Sequence, residues 1–219
     1  ADFVLFGDQF VKLDAIANTS GHIGSNDFVE VKNGNSAIVA GDLRAGRTIK
    51  VQGATTPDYA YAGRNLDVLQ KAGLNLSGNI KAPAAVPAYT IPAPATPAPL
   101  QGNVWVGDNQ SRNLLPGHYG DVTVNAGATL TLQPGTYSFE KLSVGNNASV
   151  RAIGSSRASI IHVVAPGEVR IGQNARVRGT LVAPVANVTF EERTRLEGSA
   201  AARSITLRPG ASASYHFDC

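Results

Sequence analysis

Apolar and polar residues alternate in short bursts separated by Gly- and Asn-rich turns, and one burst repeats. Residues 123–132 recur as 143–152, 170–179, 189–198 and 206–215, at steps of 20, 27, 19 and 17 residues. Each copy holds an apolar residue, a polar turn, a small residue and then large apolar ones at alternating positions, as in Val124, Ala128, Leu130 and Leu132. Period-two alternation predicts strands with one buried face, so the unit reads strand, turn, strand. A period near 19 residues is too short for a helix pair of about 34 or a propeller blade of about 40 to 45, and it fits one coil of a β-solenoid.

A second phrase joins the units. Gly179, Leu181 and Ala183 precede Val188 and Phe190; Gly198, Ala200 and Ala202 precede Ile205 and Leu207; Gly41, Leu43 and Ala45 precede Ile49 and Val51. A weaker copy sets Gly21, Ile23 and Ser25 before Val29 and Val31, so the repeat frames both ends of the chain. Stacking equivalent coils places Leu130 over Val150, Val177 and Leu196 as an interior column. The small residues Ala128, Ala148, Ala175, Thr194 and Ala211 fall where a strand enters a corner. One coil cannot bury such a face alone, so neighbours must stack and the ends need caps. The predicted fold is all-β, a parallel β-helix or solenoid. An antiparallel sandwich with hairpins every 8 to 12 residues or so is the competing arrangement.

The middle of the chain differs. Leu66, Leu69 and Ala72, closing on Gly73, predict one short α-helix over 65–73. Pro83, Pro87, Pro92, Pro94, Pro97 and Pro99, in an Ala-rich setting over 82–100, predict an extended strap along the body; a flexible linker is the other reading. The expected organisation is a single domain, with N-terminal coils over 1–53, an insertion over 54–113 and C-terminal coils over 114–219.

Composition changes this picture in three places. Lys and Arg exceed Asp and Glu by three overall, yet residues 1–140 carry net −2 and residues 141–219 net +5, so the basic character sits in the last third. No apolar run is long enough to span a bilayer. Met is absent and the chain opens Ala1-Asp2-Phe3, which is either the mature end left by a signal peptidase, making secretion the expectation, or a trimmed start. The one cysteine, Cys219, rules out an intrachain disulfide, so packing and backbone hydrogen bonds must hold the fold.

Candidate chemistry is sparse. Glu191 and Glu192 are adjacent and would point apart along a strand, and a solvated corner is the plain reading. His22, His118, His162 and His216 show no metal-ligand spacing, and His162 reads as an outward surface residue. Residues 171–177 look like a hexapeptide acyltransferase repeat, but steps of 17 to 27 break its six-residue period. No Gly-x-Ser-x-Gly, Walker loop or CxxC occurs. No enzyme activity, metal or cofactor is therefore expected. Arg151, Arg176, Arg178 and Arg195 fall on stacked outward positions about 4.8 Å apart, a candidate polyanion-binding ladder. A solvated face relieved by Glu192 and Glu197 is the alternative. No aromatic residues interleave with these arginines, so specific nucleic-acid binding is not expected.

The phrase holding Leu132, Pro134, Gly135, Tyr137 and Phe139, the two phrases running from Gly179 to Ala183 and from Gly198 to Leu207, the opening from Phe3 to Gly7 and the insertion before the Pro-rich stretch together resemble the ice-binding-like proteins of microbes. The resemblance implies a discontinuous right-handed β-solenoid with a helix alongside, secreted or attached to the cell surface. It also implies a flat face of regularly spaced small and Thr side chains that meets ice. This sequence departs there, because its outward columns mix Thr and Ser with Arg and Glu. The smoothest outward set, Thr180, Val182, Ser199 and Ala201, is the candidate ice-facing surface, interrupted by Asp42 and Arg44 if their coil is adjacent. A more distant similarity is to bactofilins, whose β-helices polymerise. The expected function is a non-catalytic extracellular or cell-surface β-solenoid serving as an adhesive, surface or matrix scaffold. The alternatives are an ice-binding protein using a flat solenoid face and a self-assembling bactofilin-like filament. Surface polysaccharide, matrix or ice are the expected partners, together with self-association through the solenoid ends.

Overall fold

The computed structural model describes residues 3–32, 38–52, 55, 57–68, 80–92, 99–155 and 158–215. These residues form one sheet of 21 strands, paired in parallel, that wraps into a β-solenoid of about ten turns. Each full coil has three walls, and the interior is a set of columns running along the axis. Behind the first wall lies the column Val106, Val124, Val144, Ile171, Phe190, Leu207, Leu13, Val31, Val51. Behind the second, Leu130, Val150, Val177 and Leu196 stack and are fully buried, and the column continues through Ala213 to Thr19. Behind the third run Tyr137, Ile161, Leu181, Ala200, Leu5, Ile23, Leu43 and Ala60. Burying a Val or Leu of this kind is worth roughly 1.5 to 3 kcal/mol, so the columns supply the main driving force.

The stack is out of chain order. Strand Phe3–Leu13 lies on strand Arg195–Leu207, with Leu5 opposite Ala200 and Leu13 opposite Leu207. The first coil of the chain therefore sits on its last, and the expected discontinuity is present. Asp14 ties this seam, its carboxylate 3.3 Å from Arg208 of the last coil and 3.4 Å from Lys32 of the second. From the seam the N-terminal coils climb to Lys81, while Leu100 bridges His118 at the opposite end.

Corners between the first and second walls obey one rule. Each is four residues long, and the third adopts a left-handed backbone: Asn109, Gly127, Asn147, Asn174, Arg193, Gly210 and Ile16, with φ between 56° and 72°. Asn and Gly tolerate that conformation, which explains the turn composition of the repeat. In the six corners within the stack the fourth residue is small and buried, whereas at the terminal rung it is the exposed Gln110. Where it is Thr194, the buried hydroxyl bonds the Gly172 and Glu191 carbonyls at 3.1 and 2.7 Å. At another corner Gly198 stacks on Gly179 so closely that a Cβ would run into the Gly179 carbonyl.

Two expectations for the middle of the chain are corrected. Asn65–Val68 is a strand, not the start of a helix, and it pairs in register with Thr48–Val51. Leu66 and Val68 fall on the interior columns at period two, and the stack overrides a weak helical pattern of three apolar residues. Residues 69–73 of that expected helix lie outside the described residues. The Pro-rich strap is not seen as one element either: 93–98 lie outside the described residues, and 84–92 carry no regular structure. That segment touches the body at Tyr89, whose N–H donates to Asn26 Oδ1 while Asn26 Nδ2 donates to the Tyr89 carbonyl, both at 2.8 Å.

Two stability tests follow from these features. Ile16 is β-branched, 51% exposed and held at φ 62°. Ile16→Asn is expected to stabilise the fold by about 1 kcal/mol, read by chemical denaturation, because the left-handed conformation costs a β-branched residue roughly 1 to 2 kcal/mol. Tyr137 is fully buried, its hydroxyl within 2.8 Å of the Gln133 carbonyl and 3.0 Å of that of Leu114, and burial pushes its pKa up to about 12. A raised pKa means the neutral phenol is favoured in the fold. Its contribution is present in full below the ordinary tyrosine range near pH 10 and is lost as pH rises through about 12. Unfolding free energy is therefore expected to fall between pH 10 and 12, and Tyr137→Phe to soften that fall while costing about 1 kcal/mol at neutral pH.

Candidate functional site

Parallel register fixes which outward side chains are neighbours, so each wall reads as a net about 4.8 Å along the axis by roughly 7 Å along the strand. The first wall is charged and mixed. Lys12 and Lys50 flank Glu30 at 3.7 Å each, Asp121 faces Lys141 at 4.0 Å, and Ser204 donates to Asn187 Oδ1 at 2.7 Å. The Asp121–Lys141 pair is exposed and contributes little, and a depression of about 360 Å³ on this wall is lined by residues of mixed character, among them Phe10, Glu168, Thr189 and Arg203.

The second wall divides into three sections. At one end the outward pairs are Ser111 and Asn113, then Thr129 and Thr131. In the middle, Ser149 and Arg151 are followed by Arg176 and Arg178, then by Arg195 and Glu197. Towards the other end Ser212 and Ser214 lie beside Asn18 and Ser20, beyond which strand Ile38–Ala40 pairs in register. The structure thus brings all four sequence-identified arginines together on three successive rungs. Arg176 neighbours Arg195, and Arg151 neighbours Arg178. Arg178 Nε stands 4.0 Å from Glu197 Oε2, both partly exposed. Arg151, Arg176, Arg178 and Glu197 line a depression of about 320 Å³ with Ser149, and Arg195 is not part of its lining. Glu192 is engaged instead with Gln173 at 3.1 Å, and Glu191 takes a 2.8 Å bond from Arg170, so the Glu191–Glu192 corner is a solvated one.

On the third wall, Thr180 and Val182 neighbour Ser199 and Ala201, as the sequence-identified set requires. The rungs on either side differ from expectation. Ile160 and His162 lie on one side, and Phe6 lies on the other. Asp42 and Arg44 do not interrupt the set, because Phe6 and Gly24 separate Arg44 from Ala201. The set shares a groove of about 430 Å³ with Phe3, Phe6, Tyr89, Pro92, Ile160 and His162. Phe3, Phe6 and Tyr89 form an aromatic cluster with ring centroids 4.8 to 6.0 Å apart. His162 is half-buried rather than a free surface residue, its Nδ1 is buried without a partner, and burial lowers its pKa.

Asn18 and Ser20 were missed by the sequence reading because their neighbours on the wall, Ser212 and Ser214, lie at the opposite end of the chain. A signal was present: Asn18-Thr19-Ser20 precedes Gly21 as Arg195-Leu196-Glu197 precedes Gly198. Among the described residues no group of three or more His, Cys, Asp or Glu is placed to hold a metal ion, and no helix is long and apolar enough to cross a membrane.

No protein-family model matches the chain, nor does any curated protein sequence. Solved structures do match. The crystal structure of an ice-binding protein from the Antarctic ascomycete Antarctomyces psychrotrophicus aligns over 99% of this chain and 96% of that one, with a TM-score of 0.55 at 10% identity. The crystal structure of an ice-binding protein from an Antarctic biological consortium aligns over 97% and 87%, with a TM-score of 0.51 at 15% identity. The chain resembles these proteins in fold, and the bactofilin likeness gains no support.

The belt supplies its own stability test. Glu197 is the one acid set among its four arginines. Glu197→Gln is expected to lower stability by a few tenths of a kcal/mol at low salt, and the loss is expected to vanish near 1 M salt, as screened surface charges require. Thermal unfolding at the two ionic strengths measures it.

Proposed function

We propose that the protein is a non-catalytic, extracellular or cell-surface ice-binding β-solenoid that meets ice with its second wall. The observation that supports this reading most directly is the uncharged array Ser212, Ser214, Asn18 and Ser20, which the seam between first and last coils assembles on one regular net. Small hydroxyl and amide side chains on rigid parallel rungs can hold ordered water at fixed spacing, which a flexible or charged surface cannot. The fold shared along nearly the whole chain with two solved ice-binding proteins agrees with the reading. The third-wall set of Thr180, Val182, Ser199 and Ala201 is the competing ice-facing surface, and it shares its groove with Tyr89 and Pro92.

A bulky residue distinguishes the two walls. Purified protein is expected to show thermal hysteresis and to inhibit ice recrystallisation. Ser20→Tyr and Ser214→Tyr are expected to remove most of that activity, whereas Thr180→Tyr leaves it. Loss only in Thr180→Tyr would move the ice face to the third wall. A folded wild type with no activity at high concentration would remove the ice reading.

The adhesive or matrix-scaffold reading has an observation of its own, since the arginine belt splits the second wall and would roughen an ice-matching plane. End-to-end filament growth has one against it. Arg112 occupies the second-wall interior column in register with Leu130, at the terminal rung, and its guanidinium lies 3.5 Å from the Trp105 carbonyl. A second copy stacked there would bury that charge, at a cost of several kcal/mol.

A further inference from the structure

We propose that the second-wall arginine belt is a binding site for a carboxylated polysaccharide lying along the solenoid axis. The belt carries four guanidinium groups and one carboxylate on three rungs, a net charge of +3. Arg151, Arg176 and Arg195 have no acidic partner among the described residues, and only Arg178 faces Glu197. Like charges on directly neighbouring strands destabilise a sheet, so this arrangement is one that an anionic ligand relieves. Guanidinium is the group suited to the task, because its planar fork takes a carboxylate through two parallel hydrogen bonds.

Spacing and surroundings narrow the ligand. The rung pitch of about 4.8 Å is close to the length of one sugar ring in an extended chain, so successive acidic residues can meet successive rungs. Flanking the belt are Thr129, Thr131 and Ser149 on one side and Ser212 and Ser214 on the other, a supply of donors and acceptors for sugar hydroxyls. No outward position of the wall from Ser111 to Ser20 is aromatic, so nucleic-acid bases have nothing to stack on. The charged contacts of this inference lie on the section of the wall that an ice plane would avoid, and only the flanking Ser212 and Ser214 are shared with the ice reading.

The experiment is calorimetric titration of the full chain with polygalacturonate oligomers, above freezing and at low salt, so the outcome is independent of any ice activity. Wild type is expected to bind, with affinity falling as salt is added. The triple variant Arg151→Ser/Arg176→Ser/Arg195→Ser retains the Arg178–Glu197 pair and is expected to bind roughly thirtyfold more weakly, at about threefold per exposed contact. Arg64→Ser/Arg203→Ser, at exposed arginines outside the belt, is expected to bind as wild type. Thermal unfolding establishes that each variant is folded. No binding by wild type, unchanged binding by the triple variant, equal binding of fully methyl-esterified polymer, or tighter binding of single-stranded DNA would each overturn the proposal.

Discussion

Parallel register between rungs is the constraint from which everything else in this molecule follows. Because the interior is narrow and apolar, each strand can slide neither by one residue, which would turn its core side chains to water, nor by two, which would force the corners out of line. Every outward residue therefore has fixed neighbours above and below. The walls are periodic surfaces with chemistry set one rung at a time, and a patch on a wall is a statement about residues that are distant in sequence. Ser214 beside Ser20 and Ala201 beside Phe6 are cases in point.

The corners enforce the same register. Seven stacked left-handed residues, six of them followed by a small buried one, hold the second-wall strands in step with the first. Two of the seven, Arg193 and Ile16, lack the conformational ease of Asn or Gly, and both lie near the seam where the last coils meet the first. Strain at those positions is tolerated because packing above and below over-determines the turn. Asp14, reached by both Arg208 and Lys32, secures the same junction electrostatically. The join between chain ends is thus held by columns, corners and an ion cluster together, and on the second wall it produces the hydroxyl array.

Much of this was legible in the sequence, for a physical reason. Columns such as Leu130, Val150, Val177 and Leu196 repeat because each rung presents the same cross-section, so internal similarity is a direct image of stacking. The belt was legible for the same reason, since Arg176 and Arg195 occupy equivalent positions of consecutive copies. The middle was less so. Leu66, Leu69 and Ala72 fit a helix locally, yet Leu66 pairs in register with Ile49 and packs half-buried against the core, and the local pattern does not reveal that a coil is there to receive it. Order was hidden as well: nothing in a run of repeats says that the first copy will sit on the last. The groove on the third wall depends on that order, since Phe6 reaches the rung of Ala201 only because of it.

Connectivity also shapes the third wall. With the first coil stacked on the last, the N-terminal coils end at Lys81 on one face of the stack and the C-terminal coils begin near Leu100 on the other. Ten rungs separate these residues along the third wall, through Tyr61, Arg44, Gly24, Phe6, Ala201, Val182, His162, Ser138 and His118. At about 4.8 Å per rung the gap is roughly 48 Å. The described residues 84–92 bring Tyr89 and Pro92 onto the third wall, where they line the groove with Thr180 and Ser199 and distinguish that wall from the second. The same discontinuity that assembles one uncharged array thus crowds the other, and the two candidate faces are consequences of a single topological choice.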